Sequence, residues 1–294
     1  MSGPSLTTEP AEPTETPGPV DPAEEAPISE RPVEVIVPPG LDPDVPAPLV
    51  VVLHGYSGTG AAQDTYFGFR DEAADRGFVL VHPDGTTDQR GVQFWNAADA
   101  CCNFFGAPVD DVAYLAAVVA HADAIHPVDP DRVFLAGHSN GGFMSYRLAC
   151  ERPDLFAAIV SLAGTMDVDM SGCRPDRPVS VVQVHGTLDD VIRLEGGEFL
   201  GGSYASATAT IEAWTAINGC TGAGIDGAGA AVTGTPLDLD VSIDGAETNV
   251  LLAPGCPADG AVELWTIEGG SHLPDLGPTF ASAVFDFFDD HPRT

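Results

Sequence analysis

Lysine is absent from all 294 residues, and arginine occurs only 11 times. Against these stand 44 acids, so the formal charge is −33. A polyanion of this strength repels phosphate backbones and anionic headgroups. That excludes nucleic-acid binding and disfavours docking on acidic membranes. Long apolar runs are also missing. The longest, Val112–Ala120, is too short to span a bilayer, so no membrane insertion is expected. The chain opens Met1-Ser2-Gly3, without the basic start and apolar core of an export signal. Spacings of the C-x-x-C type are absent as well. What remains is ordinary for a folded protein: 44% of residues are hydrophobic, and the length suits one large α/β domain or two small ones.

Six cysteines are present: Cys101, Cys102, Cys150, Cys173, Cys220 and Cys256. An even set without metal-ligand spacing favours disulfides, and hence an oxidising compartment. The expectation is a secreted protein whose leader was removed, or one held at the cell surface by a lipid. Residues 1–30 carry seven prolines, seven acids and no cation. Such a stretch has little apolar surface to bury and is expected to be a disordered spacer. Residues 31–294 are then expected to form a single folded domain.

From Pro32 onward, apolar runs of strand length recur: Val33–Val37, Leu49–Leu53, Phe78–Val81, Val133–Ala136, Ala158–Leu162, Val179–Val184 and Val262–Ile267. Several are continuously apolar and β-branched, as strands covered on both faces must be. Helix-length stretches lie between them. Gly60–Arg76 stops at Gly77, and Asp110-Asp111 opens Val112–Ile125. Gly142–Cys150, Ala205–Asn218 and Thr279–Asp290 complete the set. Strands alternating with helices predict the α/β class, with a mostly parallel sheet covered by helices on both faces. Residues 221–260, rich in Gly and Ala, read as a loop with short strands. Asp110-Asp111 reads as a helix start rather than a metal site, since two adjacent acids make a poor cage.

The sharpest local signal is Gly137-His138-Ser139-Asn140-Gly141, a G-x-S-x-G run between an apolar strand and a helix. A serine on so tight a turn is exposed for attack, and the glycines spare the turn a collision. The following helix aims amides at the place where an oxyanion would form. A serine needs a base. Asp189 follows the strand Val179–Val184, and His272 follows Val262–Ile267. Ser139, Asp189 and His272 therefore stand just past the carboxyl ends of three sheet segments, in the chain order of α/β-hydrolases. Asp190 remains an alternative to Asp189. His54 and His185 read as structural imidazoles. For the oxyanion hole, the candidates are the amides of Asn140 and of Tyr56, in the loop after Leu53; the Tyr56 ring also reads as a wall of the acyl pocket.

Together these residues resemble the secreted α/β-hydrolase esterases that group with polyhydroxybutyrate depolymerases and feruloyl esterases. The resemblance runs through Pro48–Gly55, Cys101-Cys102 after Trp95-Asn96, Val109–Val112 and Gly137–Gly142 leading into Tyr146–Cys150. It continues with His185-Gly186-Thr187 and Asp189, Trp214 with Asn218–Cys220, and Glu263–Trp265 with Gly269, Gly270 and His272. It implies a monomeric serine esterase without cofactor or metal, acting on an ester or polyester. Ser139 would be nucleophile, Asp189 acid, His272 base, and Tyr56 and Asn140 oxyanion donors. Tyr56, Trp95, His138 and Leu273 are the substrate-binding candidates. The resemblance also implies a Cys220–Cys256 disulfide, with Cys101 and Cys102 taking Cys150 and Cys173 in either order. Two departures stand out. No Trp follows His272, where the run is Leu273-Pro274-Asp275, and the loop over residues 222–235 is long. Two other readings compete: a peptidase or other acyl hydrolase on the same fold, and a non-catalytic binding protein. The Asp-rich, Lys-free composition further predicts a salt-adapted surface.

Overall fold

The computed structural model describes residues 28–199, 201–222 and 232–294. The expected spacer therefore lies outside the described residues up to position 27, as does most of the long loop after Gly222. Residues 28–30 are helical, and Ile28 packs on the core, so described structure begins before Pro32.

In chain order the elements are β1 (Val35–Ile36), β2 (Ala47–Leu53), α1 (Gly60–Phe67), α2 (Phe69–Arg76), β3 (Val79–Val81), β4 (Thr86–Thr87), β5 (Gln93–Phe94) and α3 (Asp111–Ile125). Then come β6 (Val128–His138), α4 (Asn140–Glu151), β7 (Ala158–Leu162), β8 (Ser180–Gly186), β9 (Gly197–Phe199), β10 (Gly202–Tyr204) and α5 (Ala207–Ile217). The chain closes with β11 (Val232–Thr233), β12 (Thr248–Leu252), β13 (Val262–Ile267) and α6 (Pro278–Asp290). Nine strands form one sheet in the order β1-β3-β2-β6-β7-β8-β13-β12-β11. Its six central strands, β3 to β13, run parallel; β1 at one edge and β12 at the other pair antiparallel to them, and β11 pairs antiparallel to β12.

The continuous apolar runs are explained by the two faces. Along β2, Leu49, Val51 and Leu53 enter one core while Val50 and Val52 enter the other, following the period of two of a pleated strand. The first core packs against α3, α4 and α5 through residues such as Leu115, Val118, Phe143 and Trp214. The second packs against α1, α2 and α6 through Phe67, Phe69, Phe280, Phe285 and Phe288.

The helix expected over 60–76 is two helices. Gly68, at φ +70°, caps the first through its N–H to the Asp64 carbonyl and turns the chain into the second. The strand expected over 33–37 pairs only at Val35 and Ile36. Among the described residues of 221–260 lie two short strands, β11 and β12, and β12 zips antiparallel onto β13. Asp110 caps α3 by accepting from the Ala113 N–H at 2.9 Å, and Asp111 is fully buried against Arg31 at 2.7 Å.

The disulfides are Cys101–Cys102, Cys150–Cys173 and Cys220–Cys256. This corrects the expected pairing of Cys101 and Cys102 with Cys150 and Cys173. At the end of α4, Cys150 lies 5.0 Å from Cys173, Cα to Cα, within ordinary bridging range, so the adjacent pair is left to itself. No helix among the described residues is long and apolar enough to cross a membrane.

Candidate active site

Parallel strands deliver their following loops to one edge of the sheet. Ser139 follows β6 directly, Asp189 lies three residues beyond β8, and His272 five beyond β13. Ser139 occupies the N-cap of α4 at φ 52°, ψ −116°, a conformation that a non-glycine residue adopts only when its surroundings enforce it. The enforcement is visible in the flanking glycines. A Cβ on Gly137 would strike the Gly141 carbonyl, and one on Gly141 would strike the Leu53 carbonyl of the neighbouring strand. The elbow fits only because both lack side chains.

Three side chains meet there. Ser139 Oγ lies 3.0 Å from His272 Nε2, and His272 Nδ1 lies 2.8 Å from Asp189 Oδ2. Asp189, rather than Asp190, thus faces the imidazole. Its second oxygen accepts from the Val191 and Ile192 amides, each at 2.9 Å. Burial alone would push the Asp189 carboxyl up. The imidazoles of His185 and His272 outweigh burial and hold it well below the usual carboxylate range.

His185 is therefore more than a packed ring. Its Nε2 donates to the Ile192 carbonyl at 2.7 Å and stands 3.5 Å from Asp189 Oδ2. The Gln183 amide donates to His185 Nδ1 at 3.1 Å, and the Tyr146 hydroxyl donates to Gln183 Oε1 at 2.7 Å. A buried chain from α4 through β8 thus orients the acid. Only the spacing of His185 four residues before Asp189 hints at this in the sequence; Gln183 and Tyr146 give no signal. His54, by contrast, is a satisfied imidazole. Its Nδ1 donates to the Gly55 carbonyl at 2.8 Å, and its Nε2 accepts from the Gly85 N–H at 2.9 Å.

Tyr56, His138, Ser139, His272 and Leu273 line one cleft of about 310 Å³, together with Gln63, Tyr66 and the 57–59 turn. Trp95 does not join them, which corrects its expected substrate contact. It is fully buried, and its indole N–H donates to the His54 carbonyl at 3.0 Å. Its backbone holds the Asn140 side chain instead: Trp95 N–H donates to Asn140 Oδ1 at 2.7 Å, and Asn140 Nδ2 donates to the Trp95 carbonyl at 3.0 Å. Both residues are thereby locked behind Ser139. Beside the cleft an aromatic row runs from Tyr56 to Phe104 (5.3 Å between ring centroids) and on to Phe199 (6.1 Å). Arg90 reaches the Tyr56 hydroxyl and stacks over Phe105.

The model of the prolyl oligopeptidase family matches residues 67–195, a stretch that contains Ser139 and Asp189. Over 88% of the chain, the backbone superposes on an acetyl xylan esterase from Aspergillus awamori with a TM-score of 0.57, covering 93% of that chain at 17% identity. The chain has the α/β-hydrolase fold. In sequence, the chain is 28% identical over 82% of its length to feruloyl esterase B of Piromyces equi, covering 42% of that protein. It is 34% identical over 40% of its length to poly(3-hydroxyalkanoate) depolymerase C of Paucimonas lemoignei, covering 28% of that protein. The chain thus spans less than half the length of these curated relatives and resembles the esterase group that they represent.

Proposed function

We propose that this chain is a serine carboxylic-ester hydrolase working through an acyl-enzyme at Ser139. The observation that carries the reading is the line of contacts from Ser139 Oγ through His272 to Asp189, opening on a cleft. Ser139 Oγ attacks the ester carbonyl carbon as His272 Nε2 takes its proton. The oxyanion accepts from the amides of Tyr56 and Asn140. Asn140 is the first residue of α4, where an amide has no partner within the helix, and its side chain is clamped by Trp95. On collapse the bond to the leaving alcohol breaks, and His272 returns the proton to that oxygen. Water then attacks the acyl-serine carbonyl carbon, gives a proton to His272, and the acid leaves as Ser139 regains its hydrogen. Asp189 keeps His272 in the Nδ1–H tautomer and stabilises the imidazolium.

The row Tyr56–Phe104–Phe199 and the exposed Leu273 favour aryl or apolar acyl esters. The substrates named for the relatives agree: feruloyl esters, acetylated xylan and polyhydroxyalkanoates. Three disulfides support a place outside the cell. Ser139→Ala should lower hydrolysis of a p-nitrophenyl ester by roughly 10³-fold or more and abolish labelling by a fluorophosphonate. An active, labelled variant overturns the assignment, and an inert wild type would leave a binding protein on a hydrolase fold. A panel of methyl ferulate, acetylated xylan, polyhydroxybutyrate and an aromatic polyester film then ranks the substrates. The match to the prolyl oligopeptidase family supports a second reading, a peptidase. Faster turnover of a peptide p-nitroanilide than of any ester would decide for it.

A further inference from the structure

The G-x-S-x-G turn leaves its second position open. The glycines relieve the backbone and Ser139 is the nucleophile, so His138 has no task in the ester cleavage described above. Its Nε2 lies 2.9 Å from the His272 carbonyl, which can only accept, so Nε2 carries the proton and donates. Burial, and after it the neighbouring His272 ring, push the His138 pKa down to about 4, so the ring is neutral above that pH. Gly55 makes room for the ring: a Cβ there would stand 2.8 Å from His138 Nδ1. The last residue of the strand that carries the nucleophile thus grips the main chain of the base.

Tyr66, in α1, makes the matching contact two residues further along the loop. Its hydroxyl donates to the Pro274 carbonyl at 2.8 Å. Burial, with the charges of Asp240 and Asp275 added, pushes the Tyr66 pKa up, so the hydroxyl keeps its proton and remains a donor. The Tyr66 and His138 rings also meet edge to face, 5.8 Å between centroids. The flanking carbonyls of the loop are held by backbone instead: Gly270 accepts from the Leu188 N–H and Asp275 from the Val241 N–H, each at 2.9 Å. Between them, among the described residues, the crest from His272 to Pro274 is hydrogen-bonded to the rest of the molecule by the His138 and Tyr66 donors and by the His272 imidazole. Leu273, at the middle of the crest, is 61% exposed and adds little packing to hold it down.

A base that must reach Ser139 Oγ at 3.0 Å is only as well placed as its own backbone. Asp189 restrains the swing of the imidazole but does not fix the Cα that carries it. We propose that His138 and Tyr66 are positioning residues, a two-point clamp that fastens the His272 loop against the nucleophile elbow. The donors come from β6 and α1, whereas the loop follows β13, so the clamp joins parts of the molecule that the sheet alone leaves apart. Misplacing a catalytic group by about 1 Å can cost on the order of 10²-fold in rate, and both the acylation and the deacylation steps draw on His272. Loosening the clamp therefore acts on turnover rather than on substrate binding. The proposal rests on the acyl-enzyme reading and adds the residues that hold its base in place.

The test removes each donor while keeping a ring. Tyr66→Phe loses only the hydroxyl; His138→Phe loses the Nε2 donor, and His138→Gln restores a donor at similar reach. With p-nitrophenyl butyrate, Tyr66→Phe should lower kcat by about fivefold or more and His138→Phe by about tenfold or more, each with KM within about twofold of wild type. His138→Gln should recover part of the loss. The double variant Tyr66→Phe, His138→Phe should lose less than the product of the two single losses, since either loss frees the same segment. The rate at which a fluorophosphonate labels Ser139 should fall in step with kcat, because labelling draws on the same base. Losses carried by KM would assign the two side chains to substrate contact and overturn the proposal, as would losses that multiply independently. A labelled wild type whose variants label and turn over as fast as it does sinks the clamp alone. If wild type is neither labelled at Ser139 nor active on any ester, the acyl-enzyme reading falls and the clamp with it.

Discussion

Asp189 makes four polar contacts, two to backbone amides and two to imidazoles, and this fixes its pH behaviour. Its folded pKa is depressed, so the stability it adds is present above the unfolded carboxylate pKa of about 3.9. That stability is lost as pH falls through the folded value. Asp189→Asn should therefore lower stability to urea at pH 7, and the deficit should narrow as pH drops below about 4. A deficit independent of pH would show that the carboxylate is not held low. The same variant should cost roughly 10³-fold or more in kcat, through the wrong His272 tautomer. His185 acts one contact further out, as a positioning residue. His185→Phe should lower kcat by roughly tenfold or more with little change in KM, and His185→Gln should recover part of it, since Gln can still donate near Ile192. Equal changes in kcat and KM would point to general loss of shape instead.

At the scale of elements, the turn between β6 and α4 is the tightest feature of the molecule. Gly137→Ala pushes a methyl group into the Gly141 carbonyl, and backbone cannot yield as a side chain can. We expect a loss of about 1–3 kcal/mol or more by chemical denaturation; an unperturbed variant would mean that the elbow is looser than its φ of 52° at Ser139 implies. At its other end, α4 is tied by Cys150–Cys173, which closes a loop over a sequence separation of 23. Chain entropy gives such a bridge about 3 kcal/mol. The double variant Cys150→Ser, Cys173→Ser should lose stability on that order, and peptide mapping without reductant should recover the pairings Cys150–Cys173 and Cys220–Cys256. A mapped bridge from Cys101 or Cys102 to Cys150 or Cys173 would overturn the connectivity.

For the whole molecule, the dominant quantity is charge. Most of the arginines are spent on pairs such as Arg76 with Glu72, Asp286 and Asp289, or Arg132 with Asp289. The 44 acids far outnumber the 11 cations, and their mutual repulsion opposes the compact state. Salt shortens the reach of that repulsion, from about 10 Å at 0.1 M to about 3 Å at 1 M. We propose that the protein is adapted to saline surroundings. Its melting temperature and esterase activity should rise with NaCl toward molar levels, and a melting temperature that is flat or falling would count against this. A field of this sign should also disfavour polyanionic esters and speed the departure of a carboxylate product.

The alternation of apolar runs with helix-length stretches was readable in the chain, because a strand covered on both faces must be apolar throughout. The elbow was equally readable, since only Gly137 and Gly141 tolerate the backbone around Ser139. The order of Ser139, Asp189 and His272 at strand ends followed from the same pattern. β12 was less visible: it is half exposed, and β13 decides its pairing. Gly68 splits a helix that its neighbours alone would continue. Cys150 finds Cys173 rather than Cys101 or Cys102 because the end of α4 lies beside that loop, which spacing does not reveal. Trp95 is buried behind Asn140 instead of facing substrate, and Tyr146 and Gln183 support Asp189 through His185 from α4 and β8. Local periodicity and backbone sterics act over a few residues, so the sequence by itself determined the elements, the elbow and the acidic surface. Which side chains share a cleft depends on contacts such as Trp95 with Asn140, 45 positions apart, and Ser139 with His272, 133 apart, and only the tertiary structure decided those.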